Sequence, residues 1–406
     1  MGAVHPVRLI LISAIFGVVA GAATAGFTFL FSAVRFVLWD WMPAQLEAVA
    51  PAAVVTSACV LVVAVVIGRL LRSGRPTEPG MAEESYAATG RMPAHTPRVT
   101  AWAILSLGSG GAIGPEAPVA DITGGIATYV ADRLGLSPAD GAVVVCASVA
   151  AGFSALFGSP AVGVIFALEL LHTGRSTFDR LTIVASLAAG ATGLATAAAL
   201  LGRGFEPVYV FPQYALPRLI DLGFALPVGI AGALVGLVFT IVQRGVRSRT
   251  SGLRDMPMVS SIAAALSVIV ALAISPTLLF SGQDLTEGLL RNSLGLGPAL
   301  LIAMALGRLG LAIWQQSTGY YGGTIFPLIT AGAALGLAMH VAVPFVPTGV
   351  AVIAVIAGLL ASTNPIPLGV TVLLGAVSQP SLMPVAAVAA ITGAVVRRAA
   401  EQHLSR

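Results

Sequence analysis

From Leu309 to Val396 the chain carries no Asp, Glu, Lys or Arg. A soluble fold cannot expose so long a segment without charge: soluble chains average about 25% charged residues, whereas this one has 9%, with 57% hydrophobic. Because roughly 20 apolar residues cross a bilayer, the segment must fold back through the membrane several times. Further uncharged runs lie at 9–34, 48–68, 141–168, 181–202, 222–243 and 256–283. With no water to satisfy backbone groups in the hydrocarbon, such runs read as helices. The prediction is an all-α integral membrane protein with about ten full or partial spans.

The net charge of +4 comes from 21 basic residues, all of them Arg. Without Lys there is no Schiff-base or P-loop chemistry, and the charge sits in short loops rather than on a nucleic-acid surface. Arginines cluster at 69, 72 and 75, at 91 and 98, at 244, 247, 249 and 254, and at 397, 398 and 406. The positive-inside rule places these ends, and the N-terminus beside Arg8, in the cytoplasm of a cell-membrane protein. The first apolar run is longer than a signal-peptide core and reads as a retained helix. Cys59 and Cys146 sit in apolar runs and read as buried thiols.

Within this apolar frame, Ser106 to Gly125 reads SLGSGGAIGPEAPVADITGG and sets Glu116 among glycines and prolines. Glycines admit turns with positive φ and a close backbone approach, and Pro115 and Pro118 suit the first turn of a helix. The reading is a broken helix that begins inside the membrane. Its N-terminal end carries partial positive charge and holds an anion, for which Glu116 is a tethered competitor. The plainer reading is a re-entrant loop packed for shape, with Glu116 neutral or paired.

GGTIFP at Gly322–Pro327 repeats GGAIGP at Gly110–Pro115 at an offset of 212, and TNPIPLGV from Thr363 repeats FGSPAVGV from Phe157 at an offset of 206. Two halves, each with a Gly/Pro-interrupted apolar segment in the corresponding place, indicate a duplicated membrane fold. The expectation is one transmembrane domain over 1–406, with repeats at about 1–205 and about 218–406 and no C-terminal regulatory domain.

With these residues in hand, the chain resembles the CLC family of chloride channels and proton/chloride exchangers, and its compact bacterial branch most. Gly114–Pro118 is similar to the family's GREGP, with Glu116 in the place of the gating glutamate. Gly322–Pro327 resembles GGIFAP, and FGSPAVGVIFALE from Phe157 resembles FNAPLAGILFxxE. The resemblance implies two inverted repeats of tilted and broken helices, a homodimer with one pore per subunit, and anions held between helix N-termini of both halves. It assigns anion contacts to Gly114, Pro115, Glu116 and Ala117 and, facing them, to Gly323, Thr324, Ile325 and Phe326. It also aligns EPGMAE (Glu78–Glu83) with GSGIPE, so that Pro79 stands at the anion-binding serine, with Gly80 beside it; a proline there resembles nitrate-preferring relatives. The inner proton-handling glutamate of the exchangers falls on Leu170, and the pore tyrosine has no counterpart.

Asp121 and Glu169 are the carboxylates available to a proton pathway, and each has a plainer reading, as a helix-capping group and as an interfacial partner of Arg175 or Arg180. His340 reads as a hydrogen-bonded histidine, Trp102 and Trp314 as interfacial anchors, and Tyr320 and Tyr321 as anchors or pore lining. The implied cargo is a monovalent inorganic anion, channel-like or loosely proton-coupled, with strict proton/anion antiport as the alternative. No cofactor, metal or nucleic acid is implied. An intramembrane enzyme has little support, lacking HExxH, GxSxG or paired aspartates. A cation transporter fits poorly with positive helix ends.

Overall fold

The computed structural model describes residues 5–72, 81–93, 97–171, 179–202, 214, 218–292 and 296–404. The helices, in chain order, are α1 (Pro6–Phe36), α2 (Met42–Gln45), α3 (Ala52–Leu71), α4 (Met81–Thr89), α5 (Pro97–Gly108), α6 (Glu116–Arg133), α7 (Pro138–Phe157), α8 (Pro160–Leu170) and α9 (Arg180–Leu201). They continue with α10 (Leu219–Arg249), α11 (Ser251–Arg254), α12 (Pro257–Ile274), α13 (Gln283–Asn292), α14 (Pro298–Thr318), α15 (Ile325–Ala342), α16 (Thr348–Thr363), α17 (Pro367–Val377) and α18 (Met383–Leu404). Among the described residues nine helical segments are long and apolar enough to cross a membrane, and α8, α16 and α17 are shorter apolar helices. Bulky apolar side chains on α1 (Leu11, Ile15, Phe29), α10 (Leu234, Val238, Ile241) and α18 (Ile391, Val395) are exposed, as hydrocarbon contact requires. This is a multi-pass membrane protein.

The chain forms two compact units that are interleaved in sequence. The first comprises Met1–Ser32, Gly74–Ile104 and Pro115–Pro207, and the second Ala33–Ser73, Leu105–Gly114 and Val208–Arg406.

In the first unit, α7 packs against α6, α8 and α9. Small residues set the spacing: Ala20 of α1, Ala147 and Ala151 of α7, and Ala185 and Ala189 of α9 form one buried cluster, and small side chains let helix backbones approach closely in a membrane. Thr192 Oγ1 donates to the Ala14 carbonyl at 2.8 Å, and Ser148 Oγ to the Thr123 carbonyl at 3.0 Å. The apolar run 141–168, expected as one span, is two helices. Gly158 ends α7 with φ of 70°, in the left-handed region, and Ser159 caps α8 by accepting from the Val162 N–H ahead of Pro160. Hydropathy is blind to this break because both helices are apolar. Trp102, expected at the interface, is buried at 3% exposure, whereas Trp314 is 38% exposed.

The second unit is built around α16. Every residue from Val350 to Ser362 is buried, and α10, α15 and α18 surround it. A helix apolar on all sides is a core element, and shelter from lipid is what allows one of 16 residues, about 24 Å long, to sit at membrane depth. His340 Nδ1 lies 2.8 Å from the Val346 carbonyl, the bonded state its sequence context implied. At the start of α10, Tyr214 Oη donates to Asp221 Oδ2 at 2.7 Å, and the Tyr214 N–H donates to Gln379 Oε1 at 2.9 Å. Burial, and then donation to Asp221, push the Tyr214 phenol up to about 12.

Candidate functional site

The two copies of the repeated hexamer lead to helix starts, but they do so differently. In the first copy, α5 ends at Gly108, the chain turns through Gly110 with φ of 98°, and α6 begins at Glu116, directly after Pro115. In the second, α14 ends at Thr318 and α15 begins at Ile325 with Thr324 as N-cap. This lies ahead of Leu328, the position equivalent to Glu116 by the 212-residue offset; Pro327 occupies the first turn, where its missing N–H costs no helix bond.

Within the second unit the copies bind each other through their backbones. The Gly114 N–H donates to the Gly323 carbonyl at 2.9 Å, and the Gly323 N–H donates to the Gly114 carbonyl at 2.7 Å. By the 212-residue offset, Gly114 corresponds to Phe326 and Gly323 to Gly111, so the pair joins non-equivalent positions. Close contact demands glycine: a Cβ at Gly322 would lie 2.8 Å from both the Gly114 carbonyl oxygen and the Ile113 side chain. Gly322→Val is therefore expected to force the two segments apart and lower stability by about 1–3 kcal/mol, the usual cost of overpacking. Thermal melting of the detergent-solubilised protein checks this, and an unchanged melting temperature would contradict the close packing.

Buried polar side chains pin the loops. Ser109 Oγ donates to Tyr320 Oη at 2.9 Å, and the Tyr321 N–H donates to Ser106 Oγ at 3.1 Å. Both tyrosines are buried, so the backbone around the hexamers, rather than an interface, is what they serve. Gln315 Oε1 accepts from the Ala112 N–H at 2.6 Å, and its Nε2 donates to Ser267 Oγ at 3.1 Å. Gln316 Nε2 donates to the Gly322 carbonyl at 2.8 Å, and Gln243 Nε2 donates to Gln316 Oε1 at 2.7 Å. Arg308, fully buried in α14, donates through Nη1 to the Leu278 carbonyl at 2.7 Å and through Nη2 to the Phe280 carbonyl. The Phe280 N–H in turn donates to the Gly110 carbonyl at 3.4 Å, and Trp39 Nε1 to the Gly108 carbonyl at 3.2 Å.

None of these three glutamines, nor Arg308, stands out in the sequence reading. The available signals were the polar QQSTGYY stretch ahead of GGTIFP and the single charge inside the 298–318 span. Of the residues that were singled out, Gly114 and Gly323 are brought into contact, and Thr324, Ile325 and Phe326 head α15. Pro115, Glu116 and Ala117 head α6, where Glu116 is 3% exposed. Neither Pro115 nor Thr324 supplies a side-chain cap, so both helices begin with the positive end of the backbone dipole uncovered by their own cap residue. Asp121 is half-buried in α6, and Glu169 half-buried at the penultimate position of α8, beside Leu170. Pro79, Gly80 and Arg175 lie outside the described residues.

The chain as a whole has known relatives. The chain is 29% identical over 252 residues to the chloride channel protein CLC-e of Arabidopsis thaliana, a match covering 59% of this chain and 35% of the plant protein. The protein YfeO of Salmonella paratyphi A, named for ion transport, is 25% identical over 331 residues, covering 80% of this chain and 78% of YfeO. In structure it is similar to a slow cyanobacterial Cl−/H+ antiporter, with a TM-score of 0.81 at 19% identity over 98% of this chain and 95% of that one. A CLC-type fluoride/proton antiporter gives 0.77 at 18% identity over 97% and 96%. The CLC transporter fold is thereby shown. Residues 84–398 match the voltage gated chloride channel family, and the chain belongs to that CLC family.

Proposed function

We propose that this protein carries monovalent inorganic anions across a membrane and that Glu116 is the gate. The observation that carries the reading is the mutual hydrogen bonding of Gly114 and Gly323. It ties together two glycine- and proline-rich segments, one from each half of the sequence, each just ahead of a helix start. In this reading the anion is held at the heads of α6 and α15 by backbone N–H groups and helix-dipole charge from Glu116 and Ala117 and from Thr324 to Phe326, with Gly114, Pro115 and Gly323 shaping the turns that lead there and Pro79 and Gly80 contributing at the serine position. Helix N-termini are suited to anions. The Glu116 carboxylate competes with the anion when ionised and withdraws when protonated. The duplicated halves at about 1–205 and 218–406, a homodimer with one pathway per subunit, and arginine-rich ends at the cytoplasmic face of the cell membrane belong to the same proposal.

Transport is channel-like or loosely coupled to protons, because the inner carboxylate position is Leu170. Glu169 is one residue away, a turn of about 100° on a helix with 3.6 residues per turn, so it presents to another side. The second reading, strict proton/anion exchange, is favoured by the antiporters among the structural neighbours, with Asp121 and Glu169 as the carboxylates on hand. Proteoliposomes under an outward chloride gradient, clamped near zero voltage and monitored for internal pH, separate the two. Chloride efflux with little proton movement is expected; stoichiometric uphill proton uptake that vanishes in Glu116→Gln establishes exchange instead. Absence of anion flux would defeat both.

A further inference from the structure

Gln315 and Gln316 adjoin in the last turn of α14, yet their surroundings differ. Gln315 is wholly buried, as are Ser106, Ser109, Ser317, Thr318, Tyr320 and Tyr321 around it. Gln316 and its partner Gln243 are only half-buried, and Gln316 joins the pair to the hexamer loop through the Gly322 carbonyl. The pair lies at the arginine-rich end of α10, whose next residues include Arg244, Arg247 and Arg249, and the α14 end is tied to that region where Thr250 Oγ1 donates to the Ser317 carbonyl at 3.3 Å. Each glutamine amide nitrogen has two N–H donors, and the bonds from Gln243 to Gln316 and from Gln316 to the Gly322 carbonyl use one apiece.

We propose that Gln243 and Gln316 form an anion-selecting contact on the arginine side of the Gly322–Phe326 turn. The inference rests on the anion-transport reading and extends it to residues which that reading does not use. An anion approaching from the arginine end is drawn by positive charge and must shed water before it reaches the turn. Amide N–H groups replace part of that water without adding a charge that would hold the anion too tightly. The anion losing most from their removal is the most strongly hydrated one, fluoride, because it depends most on substitute donors. The bond from Gln316 to the Gly322 carbonyl makes the pair part of the turn, so an anion taken there is already beside Gly323 and Thr324 in the sequence.

The test is flux of fluoride, chloride and nitrate in proteoliposomes for the unaltered protein, Gln243→Met and Gln316→Met. Methionine keeps the length and removes the donors. Both variants are expected to lower the fluoride-to-nitrate flux ratio by about tenfold, the worth of one hydrogen bond to a charged group, with melting temperatures close to that of the unaltered protein. Gln243→Met leaves the bond from Gln316 to Gly322 in place, so it decides the matter if Gln316→Met does not fold. An unchanged ratio in folded Gln243→Met overturns the proposal and makes the pair a structural pin, which would alter melting but not selectivity. If the unaltered protein passes none of the three anions, the transport reading itself fails and this inference with it.

Discussion

Glu116→Gln, reconstituted into liposomes, is expected to pass anions at a rate that no longer follows pH. On the proposed role of Glu116, flux in the unaltered protein should rise as the pH falls, because protonation would remove the negative charge that competes with the anion. A single titrating gate changes occupancy by at most about tenfold per pH unit, or about 1.4 kcal/mol, and that slope is what the substitution should abolish. The glutamine keeps the shape of the protonated acid, so folding should survive. Relief is expected if anything, because Glu116 is nearly inaccessible and an ionised carboxylate is costly to bury. Flux measured between acid and neutral pH for both proteins decides it. A folded Glu116→Gln protein with the full pH response would remove Glu116 from the gate.

The second large effect concerns folding rather than transport. Arg308→Met is expected to prevent accumulation of a stable protein. The guanidinium serves two carbonyls, Leu278 and Phe280, in the loop that in turn donates to Gly110. Each buried carbonyl deprived of its donor costs about 1–3 kcal/mol, a sizeable share of a net stability of about 5–15 kcal/mol. Arg308→Lys should rescue only in part, because an ammonium lacks the planar fork that reaches two acceptors at once. Size-exclusion profiles and melting curves in detergent would show the order unaltered, Lys, Met; an equally stable Met variant would refute the assignment of Arg308 as the loop's anchor.

What was legible in the sequence was whatever repeats or accumulates locally. The uncharged run from Leu309 to Val396 gave the membrane class, and the two hexamers marked two segments that hydrogen-bond to each other. Glu116 could be picked out because a carboxylate in that setting is costly. Structure hidden in uniform hydropathy was not legible: the break at Gly158 lies inside an apolar run, and α15 starts at Ile325 although the position equivalent to Glu116 is Leu328. Partners far apart in sequence were equally hidden. Gln315 and Ala112 are 203 residues apart and Gln243 and Gln316 are 73 apart, so nothing local marks them. Trp102 shows the converse, an aromatic residue read as a surface anchor that packing buries instead.

The sheltered position of α16 also bears on the order of assembly. The chain emerges from its N-terminus, so α10 and α15 exist when α16 is made, but α18, which closes the remaining side, comes afterwards. Until it does, α16 has an incomplete jacket and is too short to behave as an independent span. Truncation before Met383 would thus remove a wall of the second unit's core rather than a peripheral tail.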